Sequence, residues 1–185
     1  MNACEETTLI LEKRYYFLWV TVLILLLDQA TKLRVKSNLN IGESISVLGD
    51  FFRITLVTNP GAAFSLSLGS NAVNRLFFII SSSLAIVIFL YLLSKRNRRI
   101  VQYAYALILG GAVGNLIDRI AYGAVIDFFD FKFFTFIMER WPVFNIADSA
   151  IVLAVMLLLI DIFFPAKEKE GENQNFAMKT IEESL

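Results

Sequence analysis

Residues 143–164 read VFNIADSAIVLAVMLLLIDIFF, a long apolar stretch with an asparagine and an aspartate near its start. A helix that crosses the ~30 Å hydrocarbon core of a bilayer needs about 20 predominantly apolar residues. The part from Ile146 to Phe164 approaches that length and predicts a membrane-spanning helix. It also raises the question of why an acid, Asp148, lies in the first turn.

The composition of the whole chain agrees with a membrane location. Of the 185 residues, 57% are apolar, and the mean hydropathy of +0.63 exceeds what a soluble domain of this size needs. Three further apolar windows precede the first stretch, and the earliest reaches spanning length only if its helix continues through Asp28 to Thr31. We predict an all-α integral membrane fold with four transmembrane helices, at about 15–34, 73–93, 100–119 and 146–164.

The segments outside the helices differ in texture. Residues 40–68 alternate partly with period two and are broken by Gly49-Asp50 and Asn59-Pro60-Gly61, which predicts a small extracytoplasmic β-sheet. The Phe-rich stretch 128–136 is typical of an interfacial patch. Residues 1–165 are thus predicted to form one domain, followed by a polar, disordered tail at 166–185.

Basic residues predict the orientation. The short loop SKRNRR at 94–99 carries four of them and no acid, which indicates a cytoplasmic loop. The total count of basic residues is nearly even on the two sides, so the prediction rests on the density in this loop. Both termini are then cytoplasmic, and the two long connections face the outside.

Several classes of function are excluded by composition. The chain has no histidine, which rules out a Ser-His-Asp triad and a Cys-His pair and disfavours a zinc or haem site. Cys4 is the only cysteine, so no internal disulfide can form. Seventeen basic residues balance seventeen acidic ones, which gives no sign of a nucleic-acid partner. We expect no metal and no cofactor, and the chemistry is left to Asp and Glu.

Polar residues gather at the predicted outer ends of the helices. Ionisable groups cost about 2.5–3.5 kcal/mol each to insert into a membrane, so they are functional candidates by default. The cluster consists of Asp28 and Lys32 on the first helix, Asn115, Asp118 and Arg119 on the third, Asn145 and Asp148 on the fourth, and Asp127 in the connection before it.

Most of these residues also have a purely structural interpretation. Structural ion pairs or backbone caps could explain Asp28 with Lys32 and Asp118 with Arg119. A helix cap could explain Asn145. The glycines at 110, 111 and 114 are typical of close helix packing.

Asp127 and Asp148 fit the structural interpretation less well, because neither has a basic residue three or four positions away. Two carboxyl groups that share a site hold one proton between them, which is the arrangement used in aspartic peptide hydrolysis. Spacing alone does not decide between Asp127 and Asp130. A small ion-coupled transporter and a non-catalytic membrane scaffold are the alternatives, although the acids lie at one face and not at mid-depth, where transport sites lie.

Five motifs in order and spacing resemble the bacterial lipoprotein signal peptidases, also called signal peptidase II. They are DQATK at 28–32, NPGAAFS at 59–65, GGAVGNLIDR at 110–119, VIDFFDF at 125–131 and FNIADSAI at 144–151. The resemblance covers about residues 15–165. It implies a four-helix aspartyl endopeptidase of the bacterial inner membrane with its active site near the outer face. It also implies lipid surroundings and diacylglyceryl-modified prolipoprotein substrates, which are cut just before the modified cysteine.

The resemblance also implies roles for individual residues. Matched onto the family's motifs, the catalytic pair falls on Asp127 and Asp148, while Asn59, Arg119 and Asn145 line the substrate site. The remaining matched positions are expected to support the site: Asp28, Lys32, Gly61, Asn115 and Asp118.

Overall fold

The computed structural model describes residues 16–61, 70–95, 97–133 and 139–164. The predicted tail at 166–185, Cys4 and residues 134–136 of the Phe-rich stretch lie outside these ranges. In chain order the elements are α1 (Leu18–Lys36), β1 (Ser44–Leu48), β2 (Phe52–Asn59), α2 (Asn71–Leu93), α3 (Arg99–Tyr122), β3 (Val125–Phe131) and α4 (Ile146–Phe163).

Three of the four helices are long and apolar enough to cross a membrane. In the described part of the chain these are Ala72–Leu93, Arg99–Tyr122 and Ile146–Phe163. Helix α1 has 19 residues and carries Asp28, Lys32 and Arg34, so it is too charged to qualify by composition. Composition therefore supports a multi-pass membrane protein without establishing that α1 crosses.

Helix α3 is the centre of the bundle. In its apolar window 61% of the residues are buried, against 6% in α2 and 17% in α4, and the other three helices pack around it. The predicted close packing at its glycines is present. A methyl group at Gly110 would lie 2.8 Å from Cβ of Ile24, and one at Gly111 would lie 2.5 Å from the carbonyl oxygen of Ala147. Only glycine lets α1 and α4 approach this closely.

The turn after α3 is set by Gly123 and by an arginine from α2. Gly123 adopts a left-handed conformation with φ of 80°, which glycine reaches without strain. Arg75 Nε donates to the carbonyl oxygen of Arg119 at 3.0 Å, and its Nη2 donates to that of Ile120 at 2.8 Å. The chain can therefore leave α3 sharply and enter β3.

The sheet is antiparallel, with strand order β1-β2-β3. The sequence predicted a sheet within 40–68, and β1 and β2 lie there, but the third strand comes from the second long connection. In the pairing of β2 with β3, Val57 is opposite Asp127 and Asn59 is opposite Val125. This pairing joins the two connections and places Asp127 beside Asn59.

The prediction of an interfacial patch at 128–136 is wrong for its first residue. Phe128 lies inside β3 and is only 2% exposed, because this strand packs against the ends of α1 and α3. Phe133, just beyond the strand, is 40% exposed.

Candidate active site

Asp127 and Asp148 lie on either side of Asn145. Asn145 Nδ2 donates to Asp127 Oδ1 at 2.7 Å, and the backbone N–H of Asn145 donates to Asp148 Oδ2 at 3.3 Å. Asn145 is also the N-cap of α4, since its Oδ1 accepts from the Asp148 N–H at 2.8 Å. The predicted cap is therefore present, and the same side chain contacts a carboxyl group from β3. One asparagine thus fixes the position of both acids.

Three asparagines each have the side-chain carbonyl occupied, so that the amide N–H₂ faces a carboxyl group. Asn59 Oδ1 accepts from the Gly61 N–H at 3.0 Å, and its Nδ2 donates to Asp127 Oδ2 at 3.1 Å. Asn115 Oδ1 accepts from Lys32 Nζ at 3.0 Å, and its Nδ2 donates to Asp148 Oδ1 at 2.8 Å.

Asn145 follows the same pattern. The consequence is that the surrounding chain dictates which end of each amide points at the acids.

Beneath Asn115 lies a buried charge cluster. Lys32 Nζ is 2.8 Å from Asp28 Oδ2 and 2.8 Å from Asp118 Oδ2, and all three residues are at most 1% exposed. The carboxylates also accept backbone N–H groups, Asp28 from Ala147 at 2.9 Å and Asp118 from Ile126 at 3.1 Å. The attraction within a buried ion pair offsets the cost of removing its charges from water only when the remaining donors and acceptors of both groups are also hydrogen-bonded. The cluster ties α1 and α3 to the start of β3 and of α4, the two elements that carry Asp127 and Asp148.

Gln29 belongs to this cluster and was missed in the sequence analysis. Its Nε2 lies 3.1 Å from Asp28 Oδ2, 3.2 Å from the carbonyl oxygen of Gly114 and 3.3 Å from Asp118 Oδ1. Two sequence signals were available: its place in the DQATK motif, and its position directly after Asp28 in a predicted membrane helix, where an amide needs a partner.

Asp118 was expected to form an ion pair with Arg119 or to cap a backbone group; it accepts the backbone N–H of Ile126, but its ion pair is with Lys32 and not with Arg119. Successive residues of a helix point in different directions, so Asp118 faces Lys32 on α1 while Arg119 turns towards α2. The guanidinium of Arg119 lies over the ring of Phe78, 5.1 Å from its centroid. Among the described residues, no acceptor bonds its buried Nε. Arg119 therefore keeps a donor free beside the two acids.

The two acids open into a cavity of about 680 Å³. Its polar end is formed by residues already described: Asn59, Gly61, Asn115, Arg119, Asp127 and Asp148. Its apolar walls come from three places, namely Phe78 on α2, the segment 141–144, and Val152, Leu153 and Met156 on α4. The α4 side chains are about half exposed on the surface of a membrane-type helix, so the cavity opens sideways.

Burial raises the pKa of Asp127 from its ordinary value of 3.8 to about 7, and the nearby charge of Asp148 adds to the effect. The donors on Asn59 and Asn145, and the charge of Lys32, act in the opposite direction. A carboxyl group with such a pKa can hold a proton near neutral pH, as an acid catalyst must.

The comparison with protein families decides the membership of this chain. The sequence model of the family described as signal peptidase (SPase) II matches residues 20–164. The chain belongs to the signal peptidase II family. It is therefore a peptidase, and a multi-pass protein of a bacterial membrane.

Individual relatives agree with this assignment. A lipoprotein signal peptidase of Alteromonas mediterranea is 42% identical over 85% of this chain and 85% of its own length. One from Syntrophus aciditrophicus is 43% identical over 83% of this chain and 95% of its own length. Among solved structures, a bacterial membrane enzyme determined by the in meso method is 32% identical, with a TM-score of 0.72, covering 84% of this chain and 93% of that one.

Every site residue predicted from the signal peptidase II motifs lies at the sheet end of the bundle, in the cavity or the cluster beneath it. These residues are Asp28, Lys32, Asn59, Gly61, Asn115, Asp118, Arg119, Asn145, Asp127 and Asp148. Besides Gln29, the apolar walls of the cavity were not predicted from the sequence. A spacing of four residues from Asp148 to Val152 and on to Met156 was the available signal for the α4 wall.

Proposed function

We propose that this protein is an intramembrane aspartic endopeptidase that removes the signal peptide from bacterial prolipoproteins, cutting before the diacylglyceryl-modified cysteine. One observation carries the proposal. Two carboxyl groups from different elements, Asp127 and Asp148, are held by Asn145 at the polar end of a cavity whose walls are apolar. The names of the relatives, lipoprotein signal peptidase, supply the substrate class.

The chemistry follows from one shared proton. The carboxylate of the pair takes a proton from a water molecule, whose oxygen attacks the carbonyl carbon of the scissile peptide bond. The protonated partner gives its proton to the carbonyl oxygen, which produces a gem-diol. When the C–N bond breaks, the leaving nitrogen receives a proton and the carbonyl re-forms as a carboxylic acid.

The two carboxyl groups hold this proton as a pair, so either can be the charged member that activates the water. Asn59 donates a hydrogen bond to Asp127 and Asn115 donates one to Asp148, so each carboxylate is supported when it carries the negative charge.

Substrate orientation falls to Arg119 and Asn59. Arg119 lines the polar end of the cavity, where its guanidinium group can donate to a backbone carbonyl of the peptide. The side opening between α2 and α4 suits a substrate that arrives within the bilayer, with its acyl chains against Val152 and Met156. Such entry keeps the lipid-bearing part of the substrate out of water.

The proposal includes a membrane arrangement. All four helices cross the inner membrane, both termini are cytoplasmic, and the sheet and the cavity lie at the outer face. The basic loop at 94–99 supports this orientation.

The test is a processing assay with a purified diacylglyceryl-modified precursor. We expect Asp127→Asn and Asp148→Asn each to lower kcat by at least about a thousandfold, because neither variant can share a proton between two carboxyl groups. Asp161→Asn, at the opposite end of α4, is the matched control and keeps normal turnover. Normal cleavage by either dyad variant at equal protein level would remove that residue from the mechanism and favour a scaffold role for the polar cluster.

A further inference from the structure

One wall of the cavity is a short segment that lies along the free edge of β3. The Trp141 N–H donates to the carbonyl oxygen of Phe131 at 2.9 Å. At the other end of the segment, Phe144 and Phe129 exchange backbone hydrogen bonds of 3.2 and 2.8 Å. Pro142, between them, has no N–H to donate. Backbone pairing therefore holds the ends of this wall more firmly than its middle.

Arg140 immediately precedes the wall and is held by two carboxylates. Its Nη1 lies 2.9 Å from Asp130 Oδ1, and its Nη2 lies 2.5 Å from Asp50 Oδ1. Asp50 belongs to the turn between β1 and β2, and Asp130 belongs to β3, so Arg140 connects the start of the wall to that turn and to that strand. A guanidinium can hold two carboxylates at once because its donors are fixed in one plane.

Asp130 is itself fixed from β2. Its Oδ2 accepts from Thr55 Oγ1 at 2.8 Å, and its side chain is 8% exposed. The partners of Asp130 are Thr55 and Arg140, not the residues that bond Asp127, and Asp130 has no role in the proposed mechanism. Its carboxylate is thus available to anchor Arg140.

Asp50 also forms ion pairs with two other basic side chains. Lys132 Nζ lies 2.7 Å from Asp50 Oδ2, and Arg53 forms an ion pair with Asp50 Oδ1. Networks of several charges hold their geometry better than isolated surface pairs, which contribute little. The network therefore fixes the position of Arg140, the residue at which the wall begins.

We propose that Asp50, Asp130 and Arg140 form a clasp that positions the cavity wall at 141–144 for substrate binding. Arg140 and Asp130 are positioning residues, since neither lines the cavity or touches the two acids. The inference rests on the proposed function, in which this cavity receives the peptide. It predicts an effect on substrate binding that exceeds any effect on the chemical step.

The matched control lies at the opposite end of the molecule. Arg98 Nη1 is 2.6 Å from Asp161 Oδ1, and this pair joins the start of α3 to the end of α4 far from the cavity. The Arg98 side chain is 42% exposed and that of Arg140 is 29% exposed, so the two arginines have comparable surroundings.

The experiment compares Arg140→Gln with Arg98→Gln in the full-length protein. Both are made in a Trp19→Phe background, so that Trp141 is the only remaining tryptophan. We expect Arg140→Gln to raise KM by about twofold to fivefold, the range of a partly exposed charge pair, with kcat changed less than twofold. Acrylamide quenching of Trp141 rises in the same variant. Arg98→Gln changes neither quantity. Arg140→Lys raises KM less than Arg140→Gln does, because lysine keeps one charged donor.

Two results would overturn the clasp: unchanged KM and Trp141 quenching in Arg140→Gln, or equal changes in Arg98→Gln. Loss of kcat with unchanged KM would also overturn it, since it would make Arg140 part of the chemical step. The proposed function fails in a different way, namely if the unmodified protein does not process the precursor. In that event the quenching comparison alone decides whether the clasp holds the wall.

Discussion

Asp127 accepts a hydrogen bond on each oxygen, from Asn145 on one and from Asn59 on the other. Its raised pKa of about 7 nevertheless shows that burial and the charge of Asp148 outweigh those two donors. Neutral amide donors favour the charged form only modestly, whereas desolvation at 2% exposure opposes it strongly. This balance makes the residue sensitive to pH.

We expect peptidase activity to fall as pH rises through about 7, because Asp127 then loses the proton that the pair shares. Stability should follow the same direction. The folded state binds this proton more tightly than the unfolded chain, whose pKa is near 3.8. The stabilising contribution is therefore complete below that value and is lost as pH rises through 7, with an upper limit of ~4 kcal/mol.

The measurement is thermal unfolding in detergent at pH 5 and pH 8. Asp127→Asn should lose this part of the pH dependence. Asp50→Asn is the control that should keep the wild-type pH dependence, since the hydrogen bond from Lys132 lowers the pKa of Asp50 below 3.8 and its contribution is lost only on acidification below that value, outside this range. A wild-type protein that gains stability between pH 5 and pH 8 as much as Asp127→Asn does would contradict the assignment.

At this scale the sequence could name the candidate acids but could not separate Asp127 from Asp130. Both lie in the same apolar run. Residues on the same face of a strand are an even number of positions apart, whereas Asp127 and Asp130 are three positions apart. Their side chains therefore leave β3 on opposite faces. Which face meets α4 depends on tertiary packing. The catalytic role of Asp127 stays a prediction.

Helix α3 has no room for a side chain at Gly111. Gly111→Ala would place a methyl group 2.5 Å from the carbonyl oxygen of Ala147, a backbone atom that cannot rotate away. We expect a loss of roughly 1–3 kcal/mol of stability and reduced activity, because Ala147 adjoins Asp148. Val87→Ile on α2, which also adds one methyl group but to a side chain 63% exposed, should change neither.

Comparing the unfolding temperature and the turnover of the two variants checks this prediction. An unchanged melting temperature in Gly111→Ala would mean that α4 can move away from α3 at little cost.

The helices were predictable because long apolar windows have few alternatives, and α4, expected at 146–164, is found at Ile146–Phe163. Strand β3 was not predicted. Its sequence VIDFFDF is almost continuously buried, so the alternation that identifies a half-exposed strand is absent. The strand that pairs with it, β2, lies far away in the sequence, so the pairing cannot be predicted from the residues near β3.

For the whole molecule, α1 is the helix whose membrane crossing composition does not establish. Its Asp28 and Lys32 are compensated inside the protein, with Asp118 as the third partner. A charge that is paired and buried between helices is far less costly in a membrane than the same charge facing lipid. A crossing by α1, as proposed, would therefore depend on a residue more than 80 positions away.

The topology can be tested with the native cysteine. Cys4 is the only thiol and precedes α1, and Ile41, 72% exposed, follows it. We expect a membrane-impermeant maleimide to label Cys4→Ser/Ile41→Cys in intact spheroplasts, but to label the wild-type protein only after permeabilisation. The Cys4→Ser variant without a second change gives the background.

Labelling of both proteins from the same side would mean that α1 does not cross, and a reversed pattern would invert the orientation.

Helix α2 packs mainly against α3, and it contributes Phe78 to the cavity but no group that contacts the two acids among the described bonds. The groups that bond Asp127 and Asp148 come from β2, from α3 and from the N-cap of α4. Among the described residues, α2 therefore borders the cavity without holding either acid. Substitutions on the lipid-facing side of α2 should therefore change the fit of the protein to the surrounding bilayer and leave the geometry around Asp127 and Asp148 unaltered.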